Sequence, residues 1–215
     1  AFMATEIEVK LANKSFYDII ADDYEKIDSR RSVTTFNWLK AKLGKLSKSA
    51  GRQKILDIGC GNGFIVRASK QHFEQIYGAD ISINVIKPLA NICSGAVCCD
   101  AFNLPFKDNT FDVVSCFAVL HHCHSHKNLF AEPYRVLKKG GIFYSDHDLD
   151  KSFMRNFYIP MKIYRFFFDF EKKYLEKSKK ITKKIYKLTE FHSEGINSRA
   201  AINYLKYAGF NKISV

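Results

Sequence analysis

The sequence predicts an α/β fold, a doubly wound, mostly parallel sheet with helices packed against it. Three observations predict it. Short apolar runs alternate with helix-length segments from residue 54 to residue 148. The first run, "KILDIGCGNGF" at 54–64, breaks into three glycines spaced by single residues. Aspartates stand at the ends of three successive runs, as Asp57, Asp80 and Asp100. Strands joined through helices of this length imply βαβ units, and ligands of such sheets sit at the carboxyl ends of the strands.

Residues 1–50 read as a helical cover. "NKSFYDIIADDYEKID" places Phe16, Ile19, Ile20, Tyr24 and Ile27 at helical spacing, and "VTTFNWLKAKLGKL" does the same with Val33, Phe36, Trp38, Leu39 and Leu43. "SKSAGRQ" breaks the pattern before an α/β core at 51–150. Its strands are "KILDIG", "QIYGADI", "GAVCCDA", "FDVVSCFA" and "IFYSDHD", with helices "NGFIVRASKQHF" and "SINVIKPLANIC" between the first three. "KKGG" reads as a helix stop before the fifth strand, with cations in the last turn and then glycine. Residues 151–192 interrupt the rhythm after that strand as an aromatic and basic helical insert, a lid over the site. Residues 193–215 return to the core, with Asn197 or Ser198 capping a helix, Gly209 ending it, and "FNKISV" as a strand.

Composition narrows the classes. The chain has 215 residues, 47% of them hydrophobic, which excludes global disorder. No run approaches the roughly 20 apolar residues of a membrane-spanning helix, and "AFMATEIEVK" lacks a basic-then-apolar leader pattern, so the expectation is cytoplasmic. Cys60, Cys93, Cys98, Cys99, Cys116 and Cys123 form no C-x-x-C pair, and buried reduced thiols are expected. The net charge of +12 is concentrated in the insert, where Lys151 to Lys187 holds twelve Lys or Arg against three Asp or Glu. Such a surface suits a solvated helix face, and it also suits RNA, anionic lipid or an acidic small molecule.

The glycine turn limits the ligand. Gly59, Gly61 and Gly63 leave backbone N–H groups bare ahead of a helix N-terminus. A dinucleotide turn reads G-x-G-x-x-G, and counting from Gly59 puts Phe64 at the third position, so that spacing fails. The pattern is D-x-G-x-G-x-G. Asp57 would repel a pyrophosphate and can accept from an ammonium group. Asp80, 21 residues after Gly59, can take both hydroxyls of a ribose, and Asp100 can accept from an exocyclic amine. The three carboxylates describe a pocket for a ligand with an amino-acid end and a nucleoside end.

"LDIGCGNG", "GADIS", "CDAFNLPF", "FDVVSCFAVLHH" and "RVLKKGGIFYSDHD" resemble, in order and from about 54 to 148, the successive motifs of the class I S-adenosylmethionine-dependent methyltransferases, in particular the group with an L-P-F loop and an L-H-H segment. The resemblance implies a Rossmann-like methyltransferase fold and S-adenosyl-L-methionine as cofactor, released as S-adenosyl-L-homocysteine. It implies that Asp57, Gly59, Gly61 and Gly63 bind the methionine part, Asp80 the ribose, and Asp100 the adenine amine. Ile81 and Ala101 would flank the adenine, and Phe117 would close over the cofactor. Tyr17, Tyr24 and the Arg30–Arg31 pair match a covering segment that contacts the cofactor carboxylate. The family also carries two strands after its last helix, whereas residues for one, "FNKISV", are present here.

Methyl transfer from a sulfonium is an in-line displacement, in which orientation alone contributes roughly 7–11 kcal/mol. A base is needed only where the acceptor must lose a proton early. "SCFA" after the fourth strand is not the N-P-P-Y loop of amino-adenine enzymes, and no Pro-Cys stands where a pyrimidine-attacking cysteine would. Two polar clusters could face the acceptor: "HHCHSH", with His122 as candidate base, and "DHD", with His147 as a second. "DHD" could in principle hold a divalent ion, but its surroundings do not match the catechol-type enzymes, and no metal is expected. The expected reaction is transfer to an oxygen, nitrogen or carbon of a small molecule. The aromatics of the insert, Phe153, Phe157, Tyr158, Tyr164, Phe166, Phe167, Phe168 and Phe170, would roof its pocket. RNA, tRNA in particular, is the alternative acceptor, and a non-catalytic cofactor-binding or partner module is a second alternative. Aromatics at 153–170 and lysines at 172–187 are segregated, which suggests a buried half and a solvated half and favours the small molecule.

Overall fold

A computed structural model describes residues 4–24, 32–167 and 170–215. Its frame is a five-stranded sheet of β1 (Lys54–Ile58), β2 (Gln75–Asp80), β3 (Gly95–Cys98), β4 (Phe111–Phe117) and β5 (Leu137–Asp146). The order is β3-β2-β1-β4-β5, with every pairing parallel. The chain therefore winds outward from β1 in one direction and then from β4 in the other. The reversal puts a crevice at the carboxyl ends of β1 and β4.

Side-chain alternation builds a core on each face of the sheet. Ile55 and Val113 point to one face, where they meet Leu39, Leu43, Ile65, Val66 and Leu89. Leu56, Ile58 and Val114 point to the other, with Phe111, Leu104 and Val136. On the first face lies α2 (Val33–Ala50), started by Ser32, whose Oγ accepts from the Thr35 amide. Leu39 and Leu43, one turn apart, are fully buried, whereas Val33 and Trp38 of the same apolar pattern are exposed.

On the amino side, α1 (Glu6–Ile20) is fixed by a capping box between Thr5 and Glu8. Its buried stripe is Val9, Ala12, Asn13, Phe16 and Ile20. Phe16 and Ile20 pack with Ile181, Tyr174, Leu175, Ile185 and Tyr186 from the insert. After a short α5 (His126–Leu129), α6 (Ala131–Val136) holds the L-P-F loop: Glu132 accepts from the Leu104 amide, and Arg135 donates to the Leu104 and Phe106 carbonyls.

Several elements differ from the sequence expectation. "KKGG" is not a helix stop; it lies inside β5. Phe111 pairs with Leu137 and Val113 with Ile142, so the intervening residues bulge, and Lys138 donates to Asp112 there. The first crossover helix is only α3 (Phe64–Ser69), and the second is α4 (Ile83–Ile86) followed by a 3₁₀ turn, Lys87–Leu89. Residues 211–215 form no strand; α11 (Ser198–Ala208) ends in the left-handed Gly209, and Phe210 packs on Phe143 and Tyr134 instead. All six cysteines are free, and Cys98 is exposed rather than buried.

The insert is a chain of short helices: α7 (Lys151–Asn156), α8 (Tyr158–Phe167), α9 (Phe170–Lys177) and α10 (Lys183–Thr189). Its halves are reversed relative to expectation. The lysine-bearing helices α9 and α10 supply the packing against α1, while the aromatic half faces outward, with Phe166 82% and Phe167 74% exposed. The segregation of aromatics from lysines suggests a buried half and a solvated half, and the exposures run the other way. Phe168 and the side chain of Phe170 lie outside the described residues.

Candidate active site

The crevice opens into a cavity enclosing about 1090 Å³, including its mouth. Its floor is the first strand-to-helix turn. Gly59 has φ +66°, and a Cβ there would stand 2.4 Å from Val119 Cγ2, so only glycine lets this turn pass. The amides of Gly59 and Cys60 both donate to the Ala79 carbonyl, and that of Gly61 donates to Asp80 Oδ2 at 2.8 Å. Gly63 does not line the cavity. It starts α3 with φ +93° and presses on Leu89, so its part is in the turn itself.

Asp57 is buried beside this turn because its strand register places it opposite Ser115, whose Oγ donates to it at 2.8 Å. Asp80 closes β2, and its second oxygen accepts from the Ser82 amide. Desolvation pushes its carboxyl above the ordinary value, against the pull of the Ser82 and Gly61 amides. Asp100 accepts from Lys10 Nζ at 2.7 Å and from the Phe102 amide. Ile81, Ala101, Phe117 and Tyr24 line the walls. Arg30 and Arg31 lie outside the described residues.

The roof is α1, of which the family resemblance singles out Tyr17 and leaves Val9, Lys10 and Asn13 unmarked. Val9, Lys10, Asn13 and Tyr17 all face the cavity from it. Further polar contacts seat the helix besides the Lys10–Asp100 pair, three of them beside the cavity or its rim. Asp18 accepts from Ser82 Oγ at 2.6 Å, Asn13 donates to the His122 carbonyl, and Tyr17 meets His122 Nε2 at 2.8 Å. The signal was an asparagine on the buried stripe of an amphipathic helix. Asn13 Nδ2 donates to two carbonyls, Val9 and His122, which fixes the amide orientation and leaves Oδ1 buried without a partner.

His122 ends a 3₁₀ turn, Leu120–His122, and faces the cavity. Its Nδ1 lies 2.7 Å from the Thr189 carbonyl, which can only accept, so Nδ1 carries the proton. In the neutral ring Nε2 is then an acceptor, and the Tyr17 hydroxyl donates to it. His147 is placed differently. It does not line the cavity; its ring stacks on Phe117 at 4.2 Å, held at φ +65° with its amide on Asp146. Cys99 and Cys123 reach the cavity, but burial raises both thiols to about 12, so neither presents a thiolate at neutral pH.

Among the described residues, His121, His122 and Glu190 are grouped closely enough for a metal. The group is already engaged: His122 uses both ring nitrogens, and His121 Nδ1 is 2.6 Å from Asp148. Burial pushes the Asp148 carboxyl up, and the bonds and charge from His121 outweigh it and hold it below the ordinary value.

A glycine turn at the switch point of a 3-2-1-4-5 sheet, with acids at the strand ends, defines a nucleoside-binding Rossmann-like protein. Residues 56–145 match the family model described as "Methyltransferase domain". Over that segment the chain is similar to the class I S-adenosylmethionine-dependent methyltransferases. It is 29% identical over 135 residues to the ubiquinone/menaquinone biosynthesis C-methyltransferase of Desulfotalea psychrophila, covering 60% of this chain and 54% of that one. It is 35% identical over 145 residues to the tRNA (carboxymethyluridine(34)-5-O)-methyltransferase of Arabidopsis thaliana, covering 64% and 32%. The chain thus spans about half the length, or less, of these curated relatives. A Thermotoga maritima structure, described as a S-adenosylmethionine-dependent methyltransferase and possible histamine N-methyltransferase, shares the fold. Its TM-score is 0.58 at 18% identity, over 92% of this chain and 81% of that one.

The family's cofactor fits the residues present. The unpartnered Asn13 Oδ1 in the roof awaits an N–H or O–H donor, and the glycine turn leaves no side chain where a ligand would approach.

Proposed function

We propose that the chain transfers the methyl group of S-adenosylmethionine to an oxygen, nitrogen or carbon of a small-molecule acceptor. The observation that carries the choice of a small acceptor is the roof. Helix α1 lies across the cavity on the Lys10, Asn13, Tyr17 and Asp18 contacts, so an acceptor must fit beneath it. A polynucleotide would need the helix lifted.

In this reading Asp57 and the backbone of Gly59 and Gly61 take the methionine end, with Gly63 shaping the turn. Asp80 takes the ribose, Ile81 and Ala101 the adenine faces, and Asp100 the adenine amine. Tyr24 and Phe117 cover the reacting centre and keep water out. Bound there, the cofactor supplies a methyl group on a sulfonium. His122 is the base: a protic acceptor passes its proton to the Tyr17 oxygen as the Tyr17 proton moves to His122 Nε2, and Thr189 holds the ring by Nδ1. His147, behind Phe117, acts by fixing that ring rather than by touching the acceptor.

RNA methylation is the second reading. The Arabidopsis relative is named for tRNA, and the segment 151–187 is strongly basic. Methyl-labelled S-adenosylmethionine, offered with a panel of phenols, quinols and amines and separately with total tRNA, decides between them. Label in a small acceptor is expected. Label in tRNA alone selects the second reading, and cofactor binding with no label in either class counts against transfer.

A further inference from the structure

The outward face of α7 and α8 has no part in the site just described. Along α8, Ile159, Ile163, Phe166 and Phe167 fall on one stripe at 100° per residue, and Lys162 falls at its edge, about 40° from Phe166. That stripe is the exposed one: Ile159 is 69% and Ile163 55% accessible, alongside the phenylalanines. Phe153 and Phe157 of the preceding turn stack on each other at 4.6 Å and are also exposed, as is Leu149 before them. Met154 of α7 is buried and anchors this stretch in the core. A contiguous apolar surface of this kind marks an interaction site.

We propose that α7–α8 is a membrane-surface element that lays its apolar stripe into an anionic lipid bilayer. The helix has the features of an interfacial one: a strong apolar face, a basic border, and aromatic residues suited to the headgroup level. Its ten residues span about 15 Å, enough to lie in the surface and not to cross it. Pro160 sits in the first turn, where it interrupts no helical bond. The charge is complementary. Lys151, Arg155 and Lys162 border the stripe, and seven further exposed lysines of residues 172–184 follow, so an anionic surface attracts the whole segment.

The alternatives match this face less well. Ile159 and Ile163 have no π face on which a base could stack, and they occupy the middle of the stripe, so RNA would leave it wet. A second copy would set two lysine-rich borders against each other in a chain already carrying +12.

The test is sedimentation of the full chain with vesicles of mixed phosphatidylglycerol and phosphatidylcholine, and with phosphatidylcholine alone. Binding to the mixed vesicles is expected, weaker with phosphatidylcholine and weakened by salt. Ile163→Glu/Phe167→Glu should bind them at least about tenfold less well. That variant keeps its helical circular dichroism and its affinity for S-adenosylhomocysteine. A gain-of-signal variant, Phe167→Trp, should shift its emission to the blue on mixed vesicles, measured against the Trp38 background of the parent. The proposal is overturned by no binding to anionic vesicles, by equal binding of the Glu variant, or by no spectral shift. It is also overturned by a dimer that the Glu variant makes monomeric, or by binding to polyuridylate that the Glu variant loses.

Discussion

Asp80→Ala is the sharpest test of the cofactor reading. In the structure Asp80 lines the cavity and its oxygens accept the Gly61 and Ser82 amides, and a carboxylate has about four acceptor sites in all, which leaves room for ribose hydroxyls. Two ribose hydroxyls on a charged acceptor are worth about 1.5–3 kcal/mol each. The cavity is open to water, which can rescue the two freed amides, so the lower end of the range applies to each bond. A loss of about 3 kcal/mol weakens cofactor binding roughly a hundredfold. Titration calorimetry with S-adenosylhomocysteine measures this directly, with His147→Ala expected to lose far less, because His147 reaches the cavity only through Phe117. An Asp80→Ala protein that stays folded and binds with unchanged affinity would refute the placement of the ribose at the end of β2.

Gly63→Ala forces a side chain into left-handed backbone and places its Cβ 2.4 Å from Leu89 Cδ2; urea unfolding should show a loss of about 2–5 kcal/mol, and a parent-like midpoint would contradict it. Tyr17→Phe keeps the ring and removes the hydroxyl on His122 Nε2, so turnover of a protic acceptor should fall roughly 10²-fold with S-adenosylhomocysteine affinity retained. Asp150 caps α7 through the Ser152 and Phe153 amides and also holds Ser198, whose bond does most to lower its carboxyl to about 2. Its contribution to stability is therefore present above its unfolded value of 3.8 and lost as pH falls toward 2. Asp150→Ala should cost about 1 kcal/mol at neutral pH and flatten that acid slope in thermal melts.

The sheet was legible because its signals are local. Each parallel strand is buried on both faces and reads as a continuous apolar run, and the D-x-G-x-G turn announces bare backbone at a strand end. "KKGG" misled for the same reason: cations followed by glycine are a local helix-stop signal, and the partner that keeps Lys138 in β5 is Asp112, 26 residues away. "FNKISV" alternates like a strand, yet Phe210 finds its partners in the side chains of Phe143 and Tyr134. The site acids stand where their motif predicts them. The roof does not follow from any motif, since Lys10 and Asn13 act only through the docking of α1 on elements about 90 and 110 residues on. Nor can an amphipathic pattern tell whether its apolar side is covered, which is why the aromatic half of the insert was expected inside and lies outside.

The last strand carries a liability of its own. β5 has ten residues and, among those described, a ladder partner on β4's side alone. Its other rim is a row of amides and carbonyls with the geometry to recruit any extended peptide, including the same strand from a neighbouring molecule. Two features blunt that tendency, the exposed Lys139 and the left-handed kink at Gly140 directly after it. A substitution that discharges the lysine or straightens the kink would make this rim a better template for a further extended segment while leaving the acids of β1 and β2 in place.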